Sequence, residues 1–202
     1  CALFADFDND GDPDLFLGRS LERAMLLINE GGRFMDRSAD VEGGLPYFVA
    51  SASAADYDKD GLLDLYVSTY AGKITYETYK ARKPLQRSIL AEYLPEEDAK
   101  ELYNRLGSAA EHVILNMFGP PNVLLHNEGG GRMRVAREHK PAFLFMNTYQ
   151  ATWGDYDNDG DPDLYLTNDG PNRLLRNDGG GVFTNVASGS LADSGPGQGA
   201  AW

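Results

Sequence analysis

The chain has 202 residues, with 31 acidic and 18 basic residues and a formal net charge of −13. Such an acidic balance without a basic stripe argues against nucleic-acid binding, and no stretch of the sequence is long and apolar enough to span a membrane. Cys1 is the only cysteine, so no disulfide can form within the chain. The 23 glycines are typical of a turn-rich β protein.

Three acidic segments of nine residues have nearly the same sequence. They are DFDNDGDPD at residues 6–14, DYDKDGLLD at residues 56–64 and DYDNDGDPD at residues 155–163. Each fits the frame D-x-D-x-D-G-x-x-D and leads directly into a strand-like apolar run. The segments contribute five, four and five of the 31 acidic residues. Their recurrence in equivalent contexts predicts a repeated metal-binding unit.

The spacing of the aspartates fits a calcium loop. Positions 1, 3 and 5 can aim their carboxylates at one point, and Ca²⁺ takes six to eight oxygens at about 2.3–2.6 Å. Glycine at position 6 permits a sharp turn with positive φ. Because Leu62 occupies position 7 of the second loop, this position is expected to offer its backbone carbonyl. Position 9 is always aspartate, and position 4 is expected to face solvent. The predicted ligands are Asp6, Asp8, Asp10, Asp12, Asp14, Asp56, Asp58, Asp60, Leu62, Asp64, Asp155, Asp157, Asp159, Asp161 and Asp163.

An EF-hand, a magnesium site and a metal-free acidic loop each fit the three segments less well. An EF-hand needs a glutamate at position 12 and flanking helices, whereas position 12 is Leu17, Val67 and Leu166 within strand-like runs. Mg²⁺ prefers fewer protein ligands. Solvated acidic loops without a cation remain an alternative, although crowded carboxylates repel one another. About three Ca²⁺ ions are therefore expected. Sites of this type suit millimolar calcium, which favours an extracellular, cell-surface or periplasmic location.

A second repeated signature follows each acidic loop. It reads LLINEGGRF at residues 26–34, LLHNEGGGRM at residues 124–133 and LLRNDGGGVF at residues 174–183. An apolar pair followed by Asn, an acid and glycines predicts a β-hairpin with positive-φ turn residues. With the small-residue segment before each loop, every unit contains four short strands. Four-stranded units of about 50 residues predict an all-β fold of β-propeller blades.

The repeats divide the chain into successive blades. Blade 1 covers residues 1–50, blade 2 residues 51–149 and blade 3 residues 150–198, and residues 199–202 are expected to begin a next blade. Propellers typically have four to eight blades. Three units therefore predict either that the chain is part of a larger propeller or that chains associate to complete one.

Blade 2 contains a helical insertion at about residues 71–118, between its second and third strands. A helix is expected to start near Pro95, because acids follow it in the first turn. Strand directions place the insertion on the face opposite the metal loops, where it is a candidate surface for a protein or glycan ligand. The locally basic run at residues 70–87 fits an acidic glycan or partner, although a solvated helix face would have the same composition.

The acidic loops, the preceding small-residue strand and the Asn-acid-Gly-Gly turn resemble FG-GAP/VCBS repeats. The DYDNDGDPDLYL style of loop is similar to that of ASPIC/UnbV-type secreted proteins, and integrin α-subunit propellers use similar calcium loops. The resemblance covers nearly all of the chain except the insertion. It implies that calcium stiffens the blade edge and that ligands bind on the other face.

The sequence contains no convincing catalytic constellation. His112, His126 and His139 all lie in blade 2, but they lack the close spacing of a zinc site or of a general base with its partner. The favoured function is a calcium-binding extracellular module for adhesion or recognition of protein or glycan. The alternatives are a piece of a secreted carbohydrate-active or other hydrolytic enzyme, with its active site in the insertion or elsewhere, and a purely structural repeat.

Overall fold

The computed structural model describes residues 1–71, 86–106, 118–195 and 199–201. Within these residues, twelve strands form three antiparallel sheets of four strands each. Blade 1 contains β1 (Ala2–Ala5), β2 (Asp14–Leu17), β3 (Met25–Asn29) and β4 (Phe34–Asp36). Blade 2 contains β5 (Val49–Ala55), β6 (Asp64–Thr69), β7 (Val123–Asn127) and β8 (Met133–Val135). Blade 3 contains β9 (Thr148–Gly154), β10 (Asp163–Asn168), β11 (Arg173–Asn177) and β12 (Phe183–Asn185). The predicted all-β class of four-stranded repeats is confirmed. Strands β5 and β9 each begin two residues before the predicted starts of blades 2 and 3.

Strands of each blade follow one another in sequence order, and the register repeats from blade to blade. The residue before each acidic loop pairs with the aspartate at its ninth position. These pairs are Ala5 with Asp14, Ala55 with Asp64 and Gly154 with Asp163. The loops therefore connect the first and second strands of every blade at the same end of the sheet.

The apolar core lies between neighbouring blades. Alternate residues of a strand point to opposite faces, and β6 uses both faces. Leu65 and Val67 pack with blade 1, whereas Tyr66 packs with Leu164 and other residues of blade 3. All six residues of β6 are consequently buried. The first strands β1, β5 and β9 contact one another in turn, so the blades are arranged side by side around their first strands.

The described part of the insertion contains two helices, α1 (Arg87–Leu90) and α2 (Glu96–Leu106). Helix α2 begins directly after Pro95, as predicted, and has three acids in its first turn. It buries Ala99, Leu102 and Leu106 in a small cluster with Phe48. Residues 107–117 of the insertion and most of the basic run lie outside the described residues.

The acidic loop and the insertion of blade 2 lie at opposite ends of its strands. Asp64 begins β6 at the end that carries the acidic loop, and Asn127 ends β7 at the same end, before the glycine turn. The insertion leaves from Thr69 and returns to Val123, which lie at the opposite end of these strands. The predicted placement of loops and insertion on opposite faces is confirmed for blade 2.

The segment at residues 199–201, predicted to begin a new blade, has no strand structure. The backbone of Ala200 is hydrogen-bonded to the side chain of Gln150. Gln150 Nε2 donates to the carbonyl of Ala200 at 3.1 Å, and Ala200 N donates to Gln150 Oε1 at 3.3 Å. A strand is defined by a backbone ladder, and no such ladder reaches these residues. Trp202 lies outside the described residues.

Candidate metal-binding loops

The three acidic loops share a set of hydrogen bonds from backbone amides to aspartate carboxylates. In the first loop, the carboxylate of Asp6 accepts hydrogen bonds from Asp10 N at 3.2 Å and Gly11 N at 3.0 Å. The second and third loops repeat both bonds at 2.9 to 3.1 Å. The aspartate at position 5 also accepts a bond from the amide of position 7 in every loop, at 2.8 to 2.9 Å. These bonds hold each loop in a closed, turned conformation around the carboxylates.

Two positions of each loop have positive φ. Position 6 has φ of 95°, 90° and 89° at Gly11, Gly61 and Gly160, as the sequence predicted. Position 4 also has positive φ, of 61°, 62° and 61°, at Asn9, Lys59 and Asn158. Asparagine is enriched in this region of backbone space, and its presence in two loops was a usable signal. Lysine gave no such signal.

Carboxylate oxygens converge in each loop. Potential ligand atoms lie within 4.8 Å of one another in three groups of aspartates. That distance is about the span between opposite oxygens around a calcium ion. The groups are Asp6, Asp8 and Asp10; Asp56, Asp58 and Asp60; and Asp155, Asp157 and Asp163. The geometry is therefore compatible with a hard cation in every loop.

The aspartate at position 9 is fully buried and ties the loop to the third strand. Asp14 accepts hydrogen bonds from Phe7 N and Asn29 N, both at 2.7 Å. Asp64 and Asp163 make the equivalent pairs of bonds at 2.8 to 3.2 Å. Within the described residues, Asp163 falls in a convergent group with Asp155 and Asp157 of its loop, and Asp64 falls in one with Asp58 and His126. A structural role is therefore established for this position, and its role as a ligand stays a prediction.

The side chain at position 7 has different surroundings in the three loops. The Asp161 carboxylate pairs with Lys59 Nζ at 2.8 Å, so its side chain already has a cationic partner. Asp12 is partly buried, and Leu62 has no ligand atom in its side chain. The expectation that this position offers a backbone carbonyl therefore stays a prediction.

Crowding and burial make several of these carboxylates hard to ionise. Burial, reinforced by the negative charge of Asp14, raises the pKa of Asp8 above its ordinary value. Burial, reinforced by the charge of Asp58, raises the pKa of Asp64 to about 7. Burial likewise raises the pKa of Asp163. A nearby cation favours the ionised form, so a bound dication would remove much of this cost.

The position-4 residues Asn9, Lys59 and Asn158 are exposed, as expected, and two of them also contact a neighbouring loop. Asn9 Nδ2 donates a 2.9 Å hydrogen bond to the carbonyl of Gly61 in the second loop. Lys59 of the second loop pairs with Asp161 of the third. The side chains remain largely exposed, but the adjacent blade brings a partner within their reach.

The asparagines of the second and third glycine turns connect adjacent blades. Asn127 Nδ2 donates to the carbonyl of Phe7 in the preceding loop at 2.7 Å and to Leu63 O in its own loop at 3.0 Å. Asn177 makes the same pair of bonds, to Tyr57 O at 2.8 Å and Pro162 O at 3.2 Å. The sequence predicted these asparagines as turn residues and missed their bonds to the preceding blade.

Two histidines of blade 2 lie beside the second loop. Nδ1 of His126 is 3.3 Å from Oδ1 of Asp64 and 3.5 Å from Oδ2 of Asp58. Nε2 of His139 is 3.1 Å from the hydroxyl of Tyr57. The sequence did not predict these contacts, because the insertion separates the second loop from the third strand of its blade along the chain. His112 lies outside the described residues.

The fold and the loops define a class: an all-β repeat protein whose four-stranded units each carry an acidic D-x-D-x-D-G loop between the first two strands. The profile of the FG-GAP-like repeat matches residues 6–67 and 155–202, which is more than half of the chain and includes all three loops. The chain belongs to this family. No curated protein matches the chain. No helix among the described residues is long and apolar enough to cross a membrane.

Proposed function

We propose that each of the three acidic loops binds one Ca²⁺ ion. The observation that carries the proposal is the threefold recurrence of convergent aspartate oxygens on one backbone geometry. The donors are carboxylate oxygens, which are the ligands calcium prefers. The ligand sets are those predicted from the sequence, with the position-9 aspartate also fixing the loop to the third strand.

The proposed role of calcium is structural. Adjacent loops contact each other through Asn9 and Gly61 and through Lys59 and Asp161. An ion that fixes one loop therefore supports the next one. Neutralising the crowded carboxylates would also stabilise the folded state, in which Asp64 is fully buried.

We further propose that these blades belong to an extracellular recognition module. FG-GAP-like repeats are integrin-like propeller units typical of extracellular proteins. The proposed ligand is a protein or glycan bound at the insertion face. Two features support a firm surface there. Helix α2 packs on Phe48, and Asp98 forms a two-point ion pair with Arg137 of the blade at 2.9 and 2.7 Å.

Calcium titration by calorimetry, paired with thermal melting in chelator, tests the metal proposal. We expect about three ions and a melting temperature that rises with free calcium, because a ligand that binds only the folded state stabilises it. Asp8→Ala, Asp58→Ala and Asp157→Ala should each remove one ion. The matched control is Asp40→Ala, an exposed aspartate outside the loops, which should retain all of them. Identical melting with and without chelator would contradict the proposal.

A glycan array and a protein-capture screen, followed by assays for turnover, test the recognition proposal. Binding without turnover supports a recognition module. Turnover of a bound glycan, lost when insertion residues are replaced while the melting temperature is unchanged, would instead identify the chain as part of a hydrolytic enzyme.

A further inference from the structure

The surroundings of the second acidic loop differ from those of the other two. The residue before the turn asparagine is His126 in blade 2, whereas Ile28 and Arg176 occupy the equivalent places in blades 1 and 3. His126 thus adds an imidazole nitrogen beside the carboxylates of Asp58 and Asp64. Isoleucine has no ligand atom, and the guanidinium of arginine stays protonated and offers no lone pair to a metal.

We propose that His126 Nδ1, Asp58 and Asp64 form a site for a first-row transition-metal dication of the Zn²⁺ class. Imidazole is a good ligand for such metals, whereas Ca²⁺ is bound by oxygens. Three protein ligands leave a fourth position for water, a common arrangement for zinc. The proposal concerns a different metal class and does not depend on calcium binding. Because both sites use Asp58 and Asp64, Zn²⁺ and Ca²⁺ would compete for the second loop.

The distances between the donor atoms fit a shared metal ion. Nδ1 of His126 lies 3.3 Å from Asp64 Oδ1 and 3.5 Å from Asp58 Oδ2. With metal–ligand bonds of about 2.1 Å, two ligands at a tetrahedral angle are about 3.4 Å apart. Both carboxylates therefore lie at ligand spacing from the imidazole nitrogen, and all three donor atoms lie within 4.8 Å of one another.

The donors are also shielded and held in place. The side chain of Asp64 is completely buried, and its two oxygens accept backbone hydrogen bonds from Tyr57 and Asn127. The Asp58 oxygen nearest His126 is Oδ2. The other oxygen, Oδ1, is buried and has no hydrogen-bond partner among the described residues, whereas Oδ1 of Asp8 in the first loop accepts a bond from Asp10 N at 3.2 Å. A buried carboxylate oxygen without a donor is costly unless a cation or water satisfies it.

Tyr57 lines the proposed site. Its ring is buried against Phe183 and packs edge-on against the ring of His126, with 6.0 Å between the two ring centroids. Its hydroxyl lies 3.4 Å from His126 Nδ1 and 3.1 Å from His139 Nε2. A metal ion at His126 Nδ1 would replace the first of these hydroxyl contacts, and the hydroxyl would keep the second.

Competition titration of calcium-free protein with Zn²⁺ against a chromophoric chelator tests the proposal. The visible spectrum of added Co²⁺ reports nitrogen coordination. We expect the wild-type chain to bind one Zn²⁺, and His126→Ile to weaken that binding by at least about 100-fold, the upper end of what losing an outer-shell partner costs. Isoleucine is the residue of blade 1 at this place, so the strand should tolerate it, and circular dichroism melting checks the fold.

His139→Gln is the control, because it alters the neighbouring histidine without removing a proposed ligand, and it should still bind Zn²⁺. Equal Zn²⁺ affinity of wild type and His126→Ile, or equal losses in the two histidine variants, would overturn the inference. The calcium proposal is tested independently, because His126→Ile should bind as much calcium as wild type. A chain that binds Zn²⁺ through His126 and no Ca²⁺ would refute only the calcium sites.

Discussion

Asn177 Nδ2 donates a 2.8 Å hydrogen bond to the backbone carbonyl of Tyr57, a residue 120 positions earlier in the chain. Asn127 makes the same bond to Phe7 across an equal separation. Both asparagines are fully buried, and each also bonds the loop of its own blade. A single turn residue therefore joins two acidic loops, and the stability of one blade depends on its neighbour.

The first prediction is that Asn127→Ala and Asn177→Ala destabilise the protein more than Asn29→Ala does. Among the described residues, the side chain of Asn29 bonds Pro13 O of its own loop and the amide of turn residue Gly32. The first two variants leave a buried carbonyl of another blade without a donor, which should cost about 2–4 kcal/mol, against about 1 kcal/mol for Asn29→Ala. Urea unfolding measures all three. Equal losses would show that the bonds between blades contribute nothing extra.

The second prediction concerns backbone strain at Lys59, whose φ is 62°. Lys59→Asn restores the residue of the other two loops and should change the melting temperature little. It loses an exposed ion pair but keeps a residue suited to positive φ. Lys59→Val should lower the melting temperature by at least about 2–4 °C relative to Lys59→Asn, because a β-branched residue is strained there. Scanning calorimetry decides, and similar melting of both variants would contradict the strain argument.

The third prediction is that Arg137→Met loosens the insertion. Asp98 is only 5% exposed and would lose both of its hydrogen bonds from the guanidinium. The expected loss is about 1–3 kcal/mol, below that of a fully buried pair, because the Arg137 side chain is 44% exposed. Urea unfolding and limited proteolysis of α2 report the change.

Arg105→Met serves as the control for this pair, because Arg105 bonds Glu101 on its own helix at the surface. It should cost about 0.5 kcal/mol or less. Adding Asp98→Asn to Arg137→Met should recover part of the loss, since the unpaired buried charge is then removed. No recovery would mean that packing of the arginine, including its contact 4.7 Å above the Phe143 ring, dominates.

The fourth prediction concerns the pH dependence of the calcium-free protein. Burial raises the pKa of Asp64 to about 7, against about 3.9 in an unfolded chain. Between these values the folded state binds more protons than the unfolded state. The contribution of Asp64 to stability is therefore present below about pH 4 and is lost as the pH rises to about 7, by at most about 4 kcal/mol.

The measurement is urea unfolding in chelator from pH 4 to 8 for wild type and Asp64→Asn. The difference in unfolding free energy between the two should fall with rising pH, because asparagine does not titrate in this range. A difference that is constant or grows with pH would contradict the raised pKa. Saturating calcium should oppose the trend if it binds the ionised carboxylates.

Much of the local structure was predictable because it depends on short-range rules. The repeated loop frame indicated the glycine turns, and the small-residue segments and apolar runs around it indicated the strands. Pro95 and the acids after it marked the start of α2. The left-handed backbone conformation of Lys59 was not indicated by lysine itself. It follows from the hydrogen bonds between backbone amides and aspartate carboxylates that the second loop has in common with the first and third loops, where asparagine occupies this position.

The sequence by itself determined the repeat, the four-stranded blades, the positions of the acidic loops and the end of the sheet from which the insertion leaves. These depend on residue spacing and strand alternation, which are local. Only the tertiary structure decided which residues meet across blades. Examples are Asn177 with Tyr57, Lys59 with Asp161 and, across the insertion within blade 2, His126 with Asp58. Such contacts depend on how strands and neighbouring sheets pack, and residue spacing along the chain carries no signal for them.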